Sequence, residues 1–164
     1  MYGTTTTSGK GERLMGTNFY LFTKNKKTAQ KYAPYSYVLV DEPHFGYKIH
    51  IGKCSMGWLP LFEAHNNGIR SIKEYKVAYD TGKFKIYDEY HREYNWEEFE
   101  ERVLKHNGGV AGAIPREYYQ KDLNSPFYDP DMPNWVPISH FDTKYAYMHF
   151  KDEQGYEFTE GDFS

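Results

Sequence analysis

Rings carry most of the large apolar surface in this chain: 17 Tyr, 11 Phe and 3 Trp stand against seven Leu, seven Ile and six Val. Such aliphatic poverty would alone hint at disorder. The formal net charge of −3 is too small to hold the chain open, and the aromatics supply the missing area. At 164 residues the chain is one ordinary domain, able to bury roughly 70% of its unfolded surface. Most tyrosine rings are therefore expected in the core, with a minority left as a stacking surface for a nucleobase.

Several classes drop out. No apolar run approaches the roughly 18 residues that span a bilayer, and the N-terminus has no signal-peptide core, so no membrane partner is expected. Cys54 is the single cysteine, which excludes an intramolecular disulfide and fits a reducing cytoplasm. A pI near 6.2 argues against generic nucleic-acid binding and against a DNA mimic.

Residues 1–14 hold almost nothing to bury. Back-translation of Lys10–Leu14 accommodates a ribosome-binding sequence just ahead of Met15. The expectation is a disordered extension over 1–14, arising by upstream read-through, and a single domain over 15–164.

Within that domain Asn18–Phe22, Tyr35–Asp41, Tyr47–Ile51 and Phe84–Asp88 read as strands, as does Trp58–Ala64, with Pro60 demoting it to an edge or bulge. Lys24–Tyr32 reads as a short exposed helix ending before Pro34. Ser71 with Glu74 fits a capping box for a helix ending near Gly82. Asn95 reads as the N-cap of another, with Trp96, Phe99, Val103 and Leu104 on one face and Asn107-Gly108-Gly109 as its stop. Pro126, Pro130, Pro133 and Pro137, interleaved with Phe127, Tyr128 and Trp135, mark a long irregular loop suited to docking a partner. Thr143–Phe150 and Tyr156–Phe158 read as a closing hairpin. The expected architecture is α+β: a mostly antiparallel sheet with two or three helices on one face.

One segment has chemical content: His50-Ile51-Gly52-Lys53-Cys54-Ser55-Met56-Gly57-Trp58. Two strand-like runs meet there through a turn that holds Gly52 and Gly57. Glycine admits positive φ, which lets successive N–H groups point one way and cradle an anion. Lys53 adds a point charge and Ser55 a hydroxyl, while His50 and Trp58 flank the turn. A Walker A loop is not matched: Tyr47 and Cys54 stand where Gly and Ser/Thr belong. The same residues also suit a plain tight hairpin with no ligand.

Met15-Gly16-Thr17-Asn18-Phe19-Tyr20-Leu21 together with this segment resembles a family of small phage and prophage proteins to which no activity is assigned. Members start Met-Gly-Thr-Asn-Tyr-Tyr and carry His-Ile-Gly-Lys-x-Ser-x-Gly-Trp. Asp88-Glu89-Tyr90, the helix after Asn95 and the ending Glu160–Ser164 are similar as well. The resemblance covers about residues 15–106 and the last few. It implies a phage origin and supports Met15 as the start. Relatives often carry a Cys pair ahead of the His-Ile-Gly-Lys strand, and residues 23–49 here hold no Cys.

Weaker constellations remain. Asp88, Glu89, His91 and Glu93 could hold a divalent metal for phosphodiester hydrolysis, or could be a solvated strand end. His44, His50 and Cys54 could make a partial zinc shell, and Cys54 with His50 a nucleophile and its base. Lys24, Lys26, Lys27 and Lys31 read as a solvated helix face that could steer a phosphate. The leading expectation is a phage-encoded, non-catalytic protein of the bacterial host cytoplasm. It would sequester a phosphorylated small molecule such as a nucleotide messenger, or otherwise inhibit host defence, using His50, Gly52, Lys53, Ser55, Gly57 and Trp58 and no cofactor or metal. The alternatives are an inhibitor that docks a host protein through loop 126–141, and a small hydrolase or nuclease using His50, Lys53 and Ser55 or the Asp88/Glu89/His91 cluster.

Overall fold

A computed structural model describes residues 16–41, 44–112, 114–115 and 134–161. The expectation for residues 1–14 lies outside the described residues. The fold is built on the aromatic run of β1 (Thr17–Thr23), which is antiparallel to β3 (Gly46–Cys54) on one side and to β5 (Lys85–Asp88) on the other. Outward from β5 lies β6 (Glu93–Tyr94). Outward from β3 follow β4 (Leu61–Glu63), β10 (Glu157–Thr159) and β9 (His149–Lys151), while β2 (Val38–Val40) pairs with the first half of β3. Among the described strands of this sheet every pairing is antiparallel except β4 with β10. A separate two-stranded ladder joins β7 (Ile114–Pro115) to β8 (Asn134–Trp135). The helices are α1 (Lys26–Tyr32), α2 (Ile72–Asp80) and α3 (Trp96–Phe99), the last continuing as a π turn over Glu100–Leu104. The α+β architecture is the one the patterning predicts.

Strand alternation sends one set of side chains into a common core. Phe19 and Leu21, Ile49, Phe62, Ile86 and Phe158 are fully buried there, against Tyr75 and Ala78 of α2 and Phe99 of α3. Phe19 meets Tyr94 and Phe99 edge-on at 5.5 and 6.2 Å. Such pairs add about 0.5–1.5 kcal/mol each beyond area burial. Tyr75 can lie fully buried because its hydroxyl donates to the carbonyls of His50 and Glu63 at 3.0 and 2.9 Å. That requirement corrects one expectation: of the described tyrosines only Tyr75 and Tyr94 are buried in the core. Tyr32, Tyr37, Tyr79 and Tyr156 pack at its margin, where a hydroxyl can still reach water.

The predicted helix starts are seen. Ser71 Oγ accepts from Glu74 N–H, and Asn95 and Glu98 form a reciprocal capping box. Three strand expectations shrink. Trp58–Ala64 keeps only Leu61–Glu63, which is paired on both sides and not an edge, because Pro60, with no N–H to give, falls just before it. Tyr35 and Ser36 fall in a turn ahead of β2. Of Thr143–Phe150 only the last two residues join β9; the rest is a 3₁₀ turn over Ala146–Met148 and its lead-in. Thr143 explains the change, since its hydroxyl donates to His140 C=O and accepts from Tyr145 N–H, a local turn that competes with strand pairing.

Candidate functional site: a carboxylate-free cavity beside the 55–58 turn

β3 is bulged opposite Phe19 and Tyr20, which pair with Gly52 and His50 and leave Ile51 extra. Gly52 therefore lies in the strand, paired with Phe19 and Phe62, and not in the turn as expected. A Cβ there would meet the Leu61 carbonyl at 2.5 Å and the Phe62 ring at 2.8 Å. Its smallness serves strand contact. The turn itself is Ser55–Trp58, closed by Trp58 N–H donating to Ser55 C=O at 3.2 Å. Gly57 has the expected positive φ, +87°.

Distant parts of the chain hold this turn. His106 Nε2–H donates to Ser55 C=O at 2.9 Å, and the Asn107 amide donates to Trp58 C=O at 2.8 Å. On the other side Ile138 N–H donates to Gly57 C=O and Leu59 N–H to Ile138 C=O. The C-terminal end of the proline-aromatic loop is thus stitched to the turn. Of its expected partner-binding residues, Phe127 and Tyr128 lie outside the described residues. Trp135 pairs through its backbone with Ile114.

Beyond Ile138 the chain crosses the face of β4, β10 and β9 opposite the core. Buried Glu157 anchors it, accepting from Ser139 Oγ and His140 N–H at 2.5 and 2.7 Å. The His140 ring stacks on Trp58, centroids 4.9 Å apart, and its Nε2–H donates to Leu59 C=O. Burial lowers the His140 pKa, and nearby His149 and Lys53 push the same way against Glu157 and the Leu59 bond. His140 is therefore a neutral ring near pH 7. His149 Nδ1–H in turn donates to His140 C=O.

Together these elements enclose a cavity of about 570 Å³, within the range of small-ligand sites. Lys53, Ser55 and Trp58 line it from the turn side, and His140, Tyr145 and His149 from the crossing segment. No Asp or Glu lines it, and among the described residues Lys53 has no ion-pair partner. Gly16 backs the same wall: a Cβ there would stand 2.5 Å from Ser55 Oγ and 2.9 Å from Lys53 Cε. What the cavity presents is one unpaired ammonium, hydroxyls, imidazoles and an indole.

Of the six expected ligand residues, then, Lys53, Ser55 and Trp58 line one cavity and Gly57 shapes its turn. His50 stands outside it. Its ring meets Glu63 Oε1 at 2.9 Å and Asn18 Oδ1 at 2.8 Å. Neighbouring His65 is fully buried, accepting from Ser36 Oγ and donating to His50 C=O. Cys54 points into the core on the other face, and burial pushes its thiol up to about 12. It is neither His50's nucleophile nor a zinc ligand beside it. Asp88 is spent on its own turn, accepting from Tyr90 and Arg92 N–H and from the Tyr94 hydroxyl, while Glu89 accepts from Asn18. Among the described residues no group of three or more His, Cys, Asp or Glu is placed to hold a metal ion, and no helix is long and apolar enough to cross a membrane. Sequence reasoning missed His140, Tyr145 and His149, because the aromatics of 143–150 read as a strand while Ser139 caps a 3₁₀ turn over His140–Asp142.

No protein-family model matches the chain, and no curated protein or solved structure is significantly similar to it.

Proposed function

We propose that this is a non-catalytic binding protein that holds a small phosphorylated, nucleotide-like molecule in the Lys53 cavity. One observation carries the reading. A half-buried lysine without a carboxylate partner faces a cavity free of acidic side chains, and Trp58 and Tyr145 supply ring surface beside it. A phosphate would accept from Lys53 and from the Ser55 hydroxyl, and a base would pack on the rings. The resemblance to phage proteins supports a role in a bacterial host cytoplasm, where sequestering a nucleotide messenger would blunt host defence.

The test is calorimetric titration with ADP and with inorganic phosphate, comparing wild type with Lys53→Ala. Loss of a charged hydrogen bond should weaken binding about tenfold or more without unfolding. Mass spectrometry after denaturation should return the probe unchanged; an altered probe would favour the hydrolase reading, with Ser55 and His140 in place of His50. No heat with any anion would remove the proposal. A second reading has one observation in its favour. Val136, Ile138, Tyr145 and Tyr147 are exposed on the segment that crosses the sheet, Tyr147 at 81%, and Tyr145 also lines the cavity, which suits a host-protein contact.

A further inference from the structure

β1 runs from the Lys53 cavity, where Thr17 pairs with Cys54, to a second cleft at its other end, where Thr23 pairs with Tyr47. This cleft has a volume of about 450 Å³ and opens between the β1–α1 junction and the turn that joins α2 to β5. Lys24, Lys83 and Lys85 bound it, and none of its lining side chains is a carboxylate. Among the described residues Lys24 and Lys83 have no ion-pair partner. Lys85 has only exposed Glu93 at 3.9 Å, a weak contact it can leave.

The hydrogen-bond accounting points the same way. Thr23 Oγ1 already accepts from Asn25 N–H at 3.2 Å, and Asn25 Oδ1 from Thr28 N–H at 3.0 Å. With those acceptors engaged, the Asn25 amide hydrogens and the Thr23 and Thr28 hydroxyl hydrogens remain as donors. A wall of donors beside three ammonium groups selects an anion. The floor is aromatic: Phe22 meets Tyr87 edge-on at 5.8 Å and tilts against His44 at 6.5 Å. A bare inorganic ion would leave that surface uncovered. A phosphomonoester carries about −1.5 to −2 charges near pH 7, which three lysines can balance.

We propose that this cleft is a second ligand site, taking an organic phosphate of mononucleotide size, its phosphate on Lys24, Lys83 and Lys85 and its planar base over Tyr87 and His44. The site shares no residue with the Lys53 cavity and stands whether or not that cavity binds anything.

The experiment titrates ADP and pyrophosphate into wild type, into Lys53→Glu, into the double variant Lys83→Glu/Lys85→Glu and into the variant that combines them. Lys83 and Lys85 are exposed and Lys53 is half-buried at a cavity wall, so circular dichroism of all three variants should show them folded. Lys53→Glu should still bind one equivalent of ADP at the cleft, and adding Lys83→Glu/Lys85→Glu to it should weaken that equivalent about tenfold or more, as the double variant alone should against wild type. ADP should bind more tightly than pyrophosphate there, because only ADP covers the rings. The proposal is overturned if Lys53→Glu abolishes all ADP binding, if the double variant binds ADP as wild type does, or if ADP and pyrophosphate bind equally.

Discussion

At Gly52 a single hydrogen atom lets β3 and β4 meet. A methyl group would face the Leu61 carbonyl at 2.5 Å, and backbone cannot step aside as a flexible side chain can. Gly52→Ala is expected to cost about 1–3 kcal/mol through overpacking, read as a lower denaturation midpoint. A midpoint equal to wild type would mean the strands part at no cost. The histidines set a pH dependence. Burial lowers the pKa of His65, His106 and His140. An unfolded histidine titrates near ~6.5, so below that pH the unfolded chain takes protons that the folded one refuses. Stability is therefore complete above about pH 6.5 and falls as pH drops through the window beneath it. Melting temperatures at about pH 7.5 and about pH 5.5 check this, and His140→Gln should flatten the fall. Equal values at both would contradict it. At this scale the chain was half legible. Lys53, Ser55 and Trp58 stood out because they are neighbours in sequence. His140 and His149 did not, because their placement depends on carbonyls and a carboxylate that only the fold brings near.

Among the elements, α3 shows how a short helix is fixed at its start. Asn95 Oδ1 accepts from Glu98 N–H at 2.8 Å, and Glu98 Oε1 accepts from Asn95 N–H at 2.9 Å. Asn95→Ala should lower stability by about 1 kcal/mol, measured by urea unfolding. An unchanged midpoint would mean that the buried Phe99, Val103 and Leu104 hold the helix unaided. That cap, the Ser71 cap and the alternation of β1 and β3 could be read directly, because each is a local pattern with a local cause. The π turn after Phe99 had no sequence mark. The segment before β9 misled because its aromatics suit a strand while Ser139 and Thr143 draw the backbone into turns.

For the molecule as a whole, Glu157 couples the sheet to the cavity. It sits on β10, is 3% exposed, and holds Ser139 and His140 in place. Glu157→Ala would strand both donors, at about 1–3 kcal/mol. Amide hydrogen exchange should then quicken over residues 138–148, and ADP affinity at the Lys53 cavity should drop while the Lys83 cleft keeps its own. Unchanged protection over that segment would show that the Trp58–His140 stack suffices to seat it.

The β4–β10 pair also has a kinetic meaning. Leu61 aligns with Glu157 and Phe62 with Phe158, so this parallel ladder joins parts of the chain separated by most of its length. Closing so long a loop spends entropy before any contact rewards it, which places this pairing late on the folding route. Late contacts influence escape from the native state more than entry to it. Phe158→Leu, worth about 1 kcal/mol, should hasten unfolding about fivefold in stopped-flow traces and leave the refolding limb where it was. A refolding limb slowed by the same factor would instead put β10 in the nucleus. In the first case the sheet around β1 and β3 assembles early, and the roof of the Lys53 cavity is the last thing to arrive and the first to leave.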